Sequence, residues 1–188
     1  MIEKILKILD EYKYITISII GYMRTGKTNL AYCIANAFKH KYSDVELHYI
    51  TYKYNIIFKK LRNSRKENVI VILDDLSYSN ESRDRVLAHF LARAYHICSK
   101  CKHLIIVIIA HYIHSIMPFA RITPVRFLSS VLTEYEIDIL KKYYSLQALW
   151  DFYSMKIRDP ISNRFVFLAN IYGDHRIIKT SLCSLDYK

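Results

Sequence analysis

Hydrophobic and polar positions alternate along the chain in blocks that predict a series of strands and helices. Three runs consist almost wholly of aliphatic and β-branched residues, which is typical of strands buried on both faces of a parallel sheet. They occupy residues 15–20, 69–73 and 104–110, and a further strand is predicted near 45–51. Apolar residues at helical spacing predict helices at about 2–12, 27–40, 54–62 and 80–99. Strands that alternate with helices predict an α/β fold with a mostly parallel central sheet between two helical layers.

The pattern changes after Pro124. One more strand is predicted at 125–132, then helices at about 134–144 and 146–156, then a hairpin in which the runs 164–171 and 176–182 flank a turn at 172–175. No repeat, low-complexity tract or linker interrupts the chain. We therefore expect one domain over residues 1–188, with a core at about 14–132 and C-terminal helices and hairpin at about 133–188. A winged-helix DNA-binding unit after residue 133 is the alternative.

The first apolar run leads into a phosphate-binding loop of the form G-x-x-x-x-G-K-T at residues 21–28. Its strand–loop–helix context is the one that this motif requires. Gly21 and Gly26 let the backbone curl so that N–H groups face phosphate oxygens, and the following helix adds its positive end. Lys27 is expected to reach the β- and γ-phosphates of ATP, and the Thr28 hydroxyl to bind Mg²⁺. The predicted nucleotide contacts are Gly21, Tyr22, Met23, Arg24, Thr25, Gly26, Lys27, Thr28 and Asn29.

The second and third runs each end in polar residues that suit catalysis. Residues 69–75 have the form of a Walker B strand, in which Asp74 would hold Mg²⁺ and Asp75 would polarise the attacking water. Two ordinary carboxylates at a strand end are the alternative. His111 follows the third run and is predicted to sense the γ-phosphate, unless it only caps the strand. An arginine supplied by a neighbouring subunit would complete the site, and the candidates are Arg83, Arg85 and Arg121.

The net charge bears on the binding partner of the protein, and the cysteine content bears on its cellular compartment. The 188 residues carry a formal net charge of +11, which favours a nucleic-acid partner over an ordinary solvated basic surface. The densest basic patch lies at residues 53–66. Four cysteines without the pattern of a secreted scaffold predict reduced thiols inside a cell. A zinc site formed by His96, Cys98, Cys101 and His103 remains open. We expect a cytoplasmic location and no transmembrane segment, because the longest aliphatic run is too short to span a bilayer.

The order of these motifs resembles the FtsK–HerA superfamily of P-loop ATPases. A Walker A loop near the N-terminus precedes an Asp-Asp Walker B strand, a long helix with basic residues and a strand that ends in a polar residue. Most similar are the single-domain genome-packaging ATPases of archaeal viruses, which also finish with a helical pair and a short hairpin. The chain departs from the family at Asp75, where Glu is usual, and at His111, where Gln, Thr or Asn is usual.

The resemblance implies a three-layer P-loop NTPase of the additional-strand, RecA/FtsK-like type that hydrolyses ATP with Mg²⁺. It also implies a homo-oligomeric ring, with a hexamer among the options, that translocates double-stranded DNA, a viral capsid as a further partner, and a location in the host cytoplasm. Other hypotheses remain open. They are an AAA+-like DNA-binding initiator or loader, a small-molecule kinase with the same loop, and a nucleotide-dependent switch with little turnover.

Overall fold

The computed structural model describes residues 1–51, 56–74, 89, 91–111, 123–130, 133–159 and 161–184. Its seven strands are β1 (Tyr14–Ile20), β2 (Val45–Thr51), β3 (Asn68–Asp74), β4 (His103–Ala110), β5 (Val125–Leu128), β6 (Val166–Ile171) and β7 (Asp174–Lys179). Its helices are α1 (Ile2–Tyr12), α2 (Lys27–Lys41), α3 (Ile56–Arg62), α4 (residues 91–97), α5 (Glu134–Leu140) and α6 (Leu146–Arg158). The predicted strands at 15–20, 45–51, 69–73 and 104–110 are therefore confirmed.

All seven strands join one sheet in the order β2-β3-β4-β1-β5-β6-β7. The first five are parallel, and β6 and β7 add an antiparallel hairpin at one side. β1 lies between β4 and β5, with Ile20 opposite Ala110 on one side and Leu128 on the other. Every residue of β4 is buried, which explains why this strand is apolar along its whole length.

Helices cover both faces of the sheet, as side chains that alternate along each strand require. α1 and α2 pack on the face that carries Ile17 and Val107, with α2 contributing Leu30 and Ile34 to this core. α3 to α6 pack on the face that carries Val71, Ile106 and Leu168. The predicted three-layer α/β architecture with a mostly parallel sheet is confirmed.

The elements after residue 124 differ in detail from their predicted bounds. β5 ends at Leu128 instead of 132, because Ser129 and Ser130 turn towards the phosphate loop. The hairpin turn contains two residues instead of four, since Tyr172 and Gly173 both have positive φ, at 53° and 89°. Two-residue turns of this kind match the right-handed twist of the strands. α5 ends at Leu140 instead of 144.

The C-terminal helices and hairpin continue the sheet and its core. Leu128 of β5 pairs with Leu168 of β6, and Leu149 and Phe152 of α6 lie in the same apolar cluster as Val71 of β3. The winged-helix alternative is therefore wrong, because this segment shares its sheet and core with the phosphate loop.

All four cysteines are paired, so the prediction of reduced thiols is wrong. One disulfide joins Cys98 to Cys101, and the other joins Cys33 of α2 to Cys183. The two cysteine sulfur atoms of the possible zinc site are thus bonded to each other. His103 is held by Asn68, whose Oδ1 lies 2.9 Å from its Nδ1. No group of three or more His, Cys, Asp or Glu suited to a metal occurs in the part of the chain that the structure describes.

Residues 181–184, here called the C-terminal strap, lie along one face of α2. The side-chain amide of Asn29 donates to the Ser181 carbonyl at 2.8 Å, and its Oδ1 accepts from the Cys183 N–H at 2.7 Å. Asn36 donates to the Ser184 carbonyl at 2.7 Å. Residues 29, 33 and 36 share a helix face, so the disulfide and these hydrogen bonds act on the same segment. No helix of the described residues is long and apolar enough to cross a membrane.

We predict that the Cys33–Cys183 disulfide stabilises the protein strongly because the bonded residues are 150 positions apart. Cys183→Ser should lower the free energy of unfolding by about 2–5 kcal/mol, since cross-links that close long loops restrict the unfolded chain most. Denaturant unfolding without reductant measures the change. Cys101→Ser is the matched control, because its disulfide spans only three positions, and it should cost less. Equal midpoints for Cys183→Ser and the wild type would contradict the prediction.

Candidate active site

The phosphate loop leaves the sheet at its centre, where β1 ends between β4 and β5. The Gly21 N–H donates to the Ala110 carbonyl at 3.2 Å. Gly21 and Gly26 both have positive φ, at 148° and 82°. A Cβ at Gly21 would lie 1.9 Å from Ser129 Oγ, and one at Gly26 would lie 2.6 Å from a ring carbon of Phe165. The two glycines of the motif are therefore required by backbone conformation and by close packing together.

Two serines after β5 hold the loop, and no sequence motif marks them. Ser129 Oγ donates to the Ile20 carbonyl at 2.9 Å and lies 2.6 Å from Thr25 Oγ1. Ser130 Oγ accepts from the Tyr22 N–H at 2.9 Å. Both serines are buried, so these contacts are shielded from water and fix the start of the loop.

Lys27 is buried, and its ammonium group contacts the Tyr22 carbonyl oxygen within the loop. Its charge is thereby placed among the loop's backbone groups, where phosphate oxygens are bound in this type of loop. The side chains of Met23 and Arg24 are exposed at the outer edge, and Arg24 has a φ of 62°.

Asp74 lies at the end of β3, next to the first turn of α2. Thr28 Oγ1 donates to Asp74 Oδ2 at 3.3 Å, and the Tyr49 hydroxyl donates to the same oxygen. Burial, with the Asp74 carboxylate as a lesser cause, raises the pKa of Tyr49 above its ordinary value, so the phenol keeps its proton. A hydroxyl and a carboxylate that converge in this way are the hard oxygen ligands that Mg²⁺ prefers, and the residues present fit that ion.

Of the remaining predicted residues, the structure describes two. His111 directly follows β4 and is half-buried, beside the start of the loop. The Asn29 side chain is directed at the C-terminal strap instead of the loop. Asp75, Arg83 and Arg121 lie outside the described residues, and their roles stay predictions.

A pocket of about 530 Å³ adjoins the loop on the side of β5 and α6. Three of its described lining residues are cationic and none is acidic. Burial lowers the pKa of one of these cations, Lys156, to about 8. Its Nζ donates to the Asn163 carbonyl at 2.6 Å. The lining comprises Tyr22, Met23, Arg24, Thr25, Ser129, Ser130, Tyr153, Lys156, Ile157 and Arg164.

The sequence matches the ATPase family associated with various cellular activities, AAA, over residues 17–135. The chain belongs to the AAA family. The AAA match begins in β1, spans the phosphate loop, β3 and β4, and ends at the start of α5. The protein is therefore a P-loop ATPase, and nucleotide binding is supported by that membership. No curated protein sequence matches the chain significantly.

Solved viral ATPases share the fold of this AAA protein. The DNA-packaging ATPase of Sulfolobus Turreted Icosahedral Virus is 13% identical, with a TM-score of 0.56 over 90% of this chain and 98% of that one. The genome-packaging NTPase of Sulfolobus turreted icosahedral virus 2 with AMPPCP is 16% identical, with a TM-score of 0.59 over 90% and 99%. The same NTPase with sulfate is 13% identical, with a TM-score of 0.63 over 92% and 99%. The predicted resemblance to archaeal viral packaging ATPases is thus confirmed in the fold.

We predict that Gly26→Ala weakens nucleotide binding, whereas Gly173→Ala does not. Both glycines have positive φ, at 82° and 89°, so either alanine should cost about 1–2 kcal/mol of stability. Only at Gly26 does the new Cβ meet neighbouring atoms, including the Arg164 carbonyl at 3.3 Å. Loss of one charge-assisted hydrogen bond to phosphate corresponds to roughly tenfold or more in affinity. Titration with a fluorescent ATP analogue measures this, and equal affinities for the two variants would refute the prediction.

Proposed function

We propose that the protein is an ATP-driven motor that translocates or packages double-stranded DNA as a homo-oligomeric ring. The observation that carries the ATPase part is the contact between Thr28, in the first turn of α2, and Asp74, at the carboxyl end of β3, beside buried Lys27. The DNA part is supported by the net charge of +11 and by the fold shared with a DNA-packaging ATPase.

In the proposed reaction, Lys27 and the loop N–H groups neutralise and orient the β- and γ-phosphates. Thr28 and Asp74 would hold Mg²⁺, which supplies further positive charge to the phosphates. Asp75 polarises the attacking water, and His111 contacts the γ-phosphate from the end of β4. Arg83 or Arg121 of a neighbouring subunit would stabilise the transition state.

The pocket beside the loop suits the nucleoside part of ATP. With Thr28 and Asp74 holding Mg²⁺ at the terminal phosphates, the remainder of the nucleotide would extend along the loop towards residues 22–25, which line the pocket. Tyr153 and Ile157 offer apolar contacts to a base, and Lys156 and Arg164 offer charge to the nearer phosphate.

The DNA contact is proposed for the basic region around α3. Lys59, Arg62 and Arg65 are exposed, whereas Phe58 packs against the core beneath them. Phe58 therefore packs α3 against the core, and the exposed cationic side chains can contact the phosphate groups of DNA.

Duplex DNA should stimulate ATP hydrolysis several-fold, because a motor couples turnover to its track. Purified protein is assayed with and without duplex DNA at low salt, since phosphate contacts weaken as salt rises. Lys27→Ala should lower hydrolysis by about a hundredfold or more, with or without DNA.

The paired substitution Lys59→Glu with Arg62→Glu separates DNA binding from chemistry. It should abolish stimulation and leave DNA-independent hydrolysis intact, because α3 carries no predicted nucleotide contact. A wild-type hydrolysis rate that does not change with DNA would contradict the motor hypothesis. Phosphate transfer to a nucleoside or nucleotide would then favour a kinase, and negligible turnover would favour a switch.

We further predict that affinity for the ATP analogue falls as pH rises through about 8. Lys156 is mostly protonated at pH 7 and mostly neutral at pH 9, because its pKa lies near 8. Below that pKa its charge attracts phosphate, and above it the attraction is lost. Lys156→Arg should keep affinity constant over this range, since arginine stays charged. An identical pH profile for this variant and the wild type would rule out Lys156 as the source.

A further inference from the structure

Tyr49 holds the carboxylate of Asp74, although no motif marks this tyrosine. β2 and β3 run parallel, with Thr51 opposite Asp74 and Tyr49 opposite Ile72. The Tyr49 hydroxyl reaches Asp74 Oδ2, the oxygen that also accepts from Thr28 Oγ1 at 3.3 Å. A single carboxylate oxygen therefore links the edge strand, the Walker B strand and the helix of the phosphate loop.

The tyrosine is itself held in place. Its side chain is partly buried, and its ring packs against Tyr32 of α2, with the ring centroids 6.2 Å apart. A hydroxyl on a fixed ring is a well-oriented donor, whereas an aspartate at a strand end can otherwise rotate about its side-chain bonds. Hydrogen bonds to a metal-binding carboxylate set its orientation, and their loss typically costs about 10–100-fold in metal affinity or activity.

We propose that Tyr49 is a positioning residue that orients Asp74 for the divalent cation that accompanies ATP. The inference rests on the proposed metal role of Thr28 and Asp74. It assigns a function in nucleotide binding to β2, the strand at the edge of the sheet, which contains no residue of the Walker motifs.

The test compares Tyr49→Phe with Tyr42→Phe. Each substitution removes one hydroxyl that donates to a carboxylate, but Tyr42 contacts Asp10 Oδ1, at 2.5 Å, between α2 and α1 and away from the loop. A fluorescent ATP analogue is titrated into each protein in EDTA and at increasing Mg²⁺. Thermal unfolding establishes that both variants are folded.

We expect Tyr49→Phe to raise the Mg²⁺ concentration for half-maximal enhancement of binding by about tenfold, with affinity in EDTA unchanged. Tyr42→Phe should match the wild type in both conditions. An unchanged Mg²⁺ requirement for Tyr49→Phe would overturn the inference alone. Equal losses with EDTA and with Mg²⁺ would also overturn it, because they would indicate a structural contact. Binding by the wild type that is independent of Mg²⁺ would overturn the proposed metal site and this inference together.

Discussion

The pairing of β1 with a parallel neighbour on each side is the constraint on which the site depends. Residues 15–20 of β1 are buried, and both edges of the strand are used. The loop therefore emerges where one neighbour, β4, supplies the carbonyl that accepts from Gly21, and the segment directly after the other neighbour, β5, supplies the two serines. Crevices of this kind, where chain connections diverge, are the usual ligand sites of open α/β sheets. A slip of one residue in this register would turn every side chain of β1 to the opposite face and displace the loop.

Packing by distant parts of the chain gives the loop its shape. Ser129 lies where any side chain at Gly21 would need to be, and Phe165 lies against Gly26. Neither contact is polar recognition of a nucleotide, yet both determine where the loop's N–H groups point. Residues that lie more than 100 positions beyond the loop in the sequence, after β5 and just before the hairpin, therefore contribute to the site.

Local patterns were sufficient to predict the central strands and the motif residues. Runs of mostly aliphatic and β-branched residues marked β1, β3 and β4, and the fixed spacing of the loop motif placed Lys27 and Thr28. Local patterns could not reveal Ser129, Ser130 or Tyr49, because each of these acts through strand register, which joins residues far apart in sequence. The Cys33–Cys183 disulfide was missed because its two residues are 150 positions apart in the sequence. The role of Asp75 is still a prediction.

The bond between Cys33 and Cys183 also divides the chain mechanically. It closes a covalent ring across 150 positions, so the enclosed chain, about 500 Å long when extended, cannot be pulled out by its ends. Tension applied between residues 1 and 184 would pass through the sulfur atoms and bypass β2 to β7. It would act instead on α1, β1 and the phosphate loop, all of which precede the ring. Under load, the phosphate loop would be among the first segments to be stretched, whereas the covalent ring would keep the chain from β2 to β7 from being extended end to end.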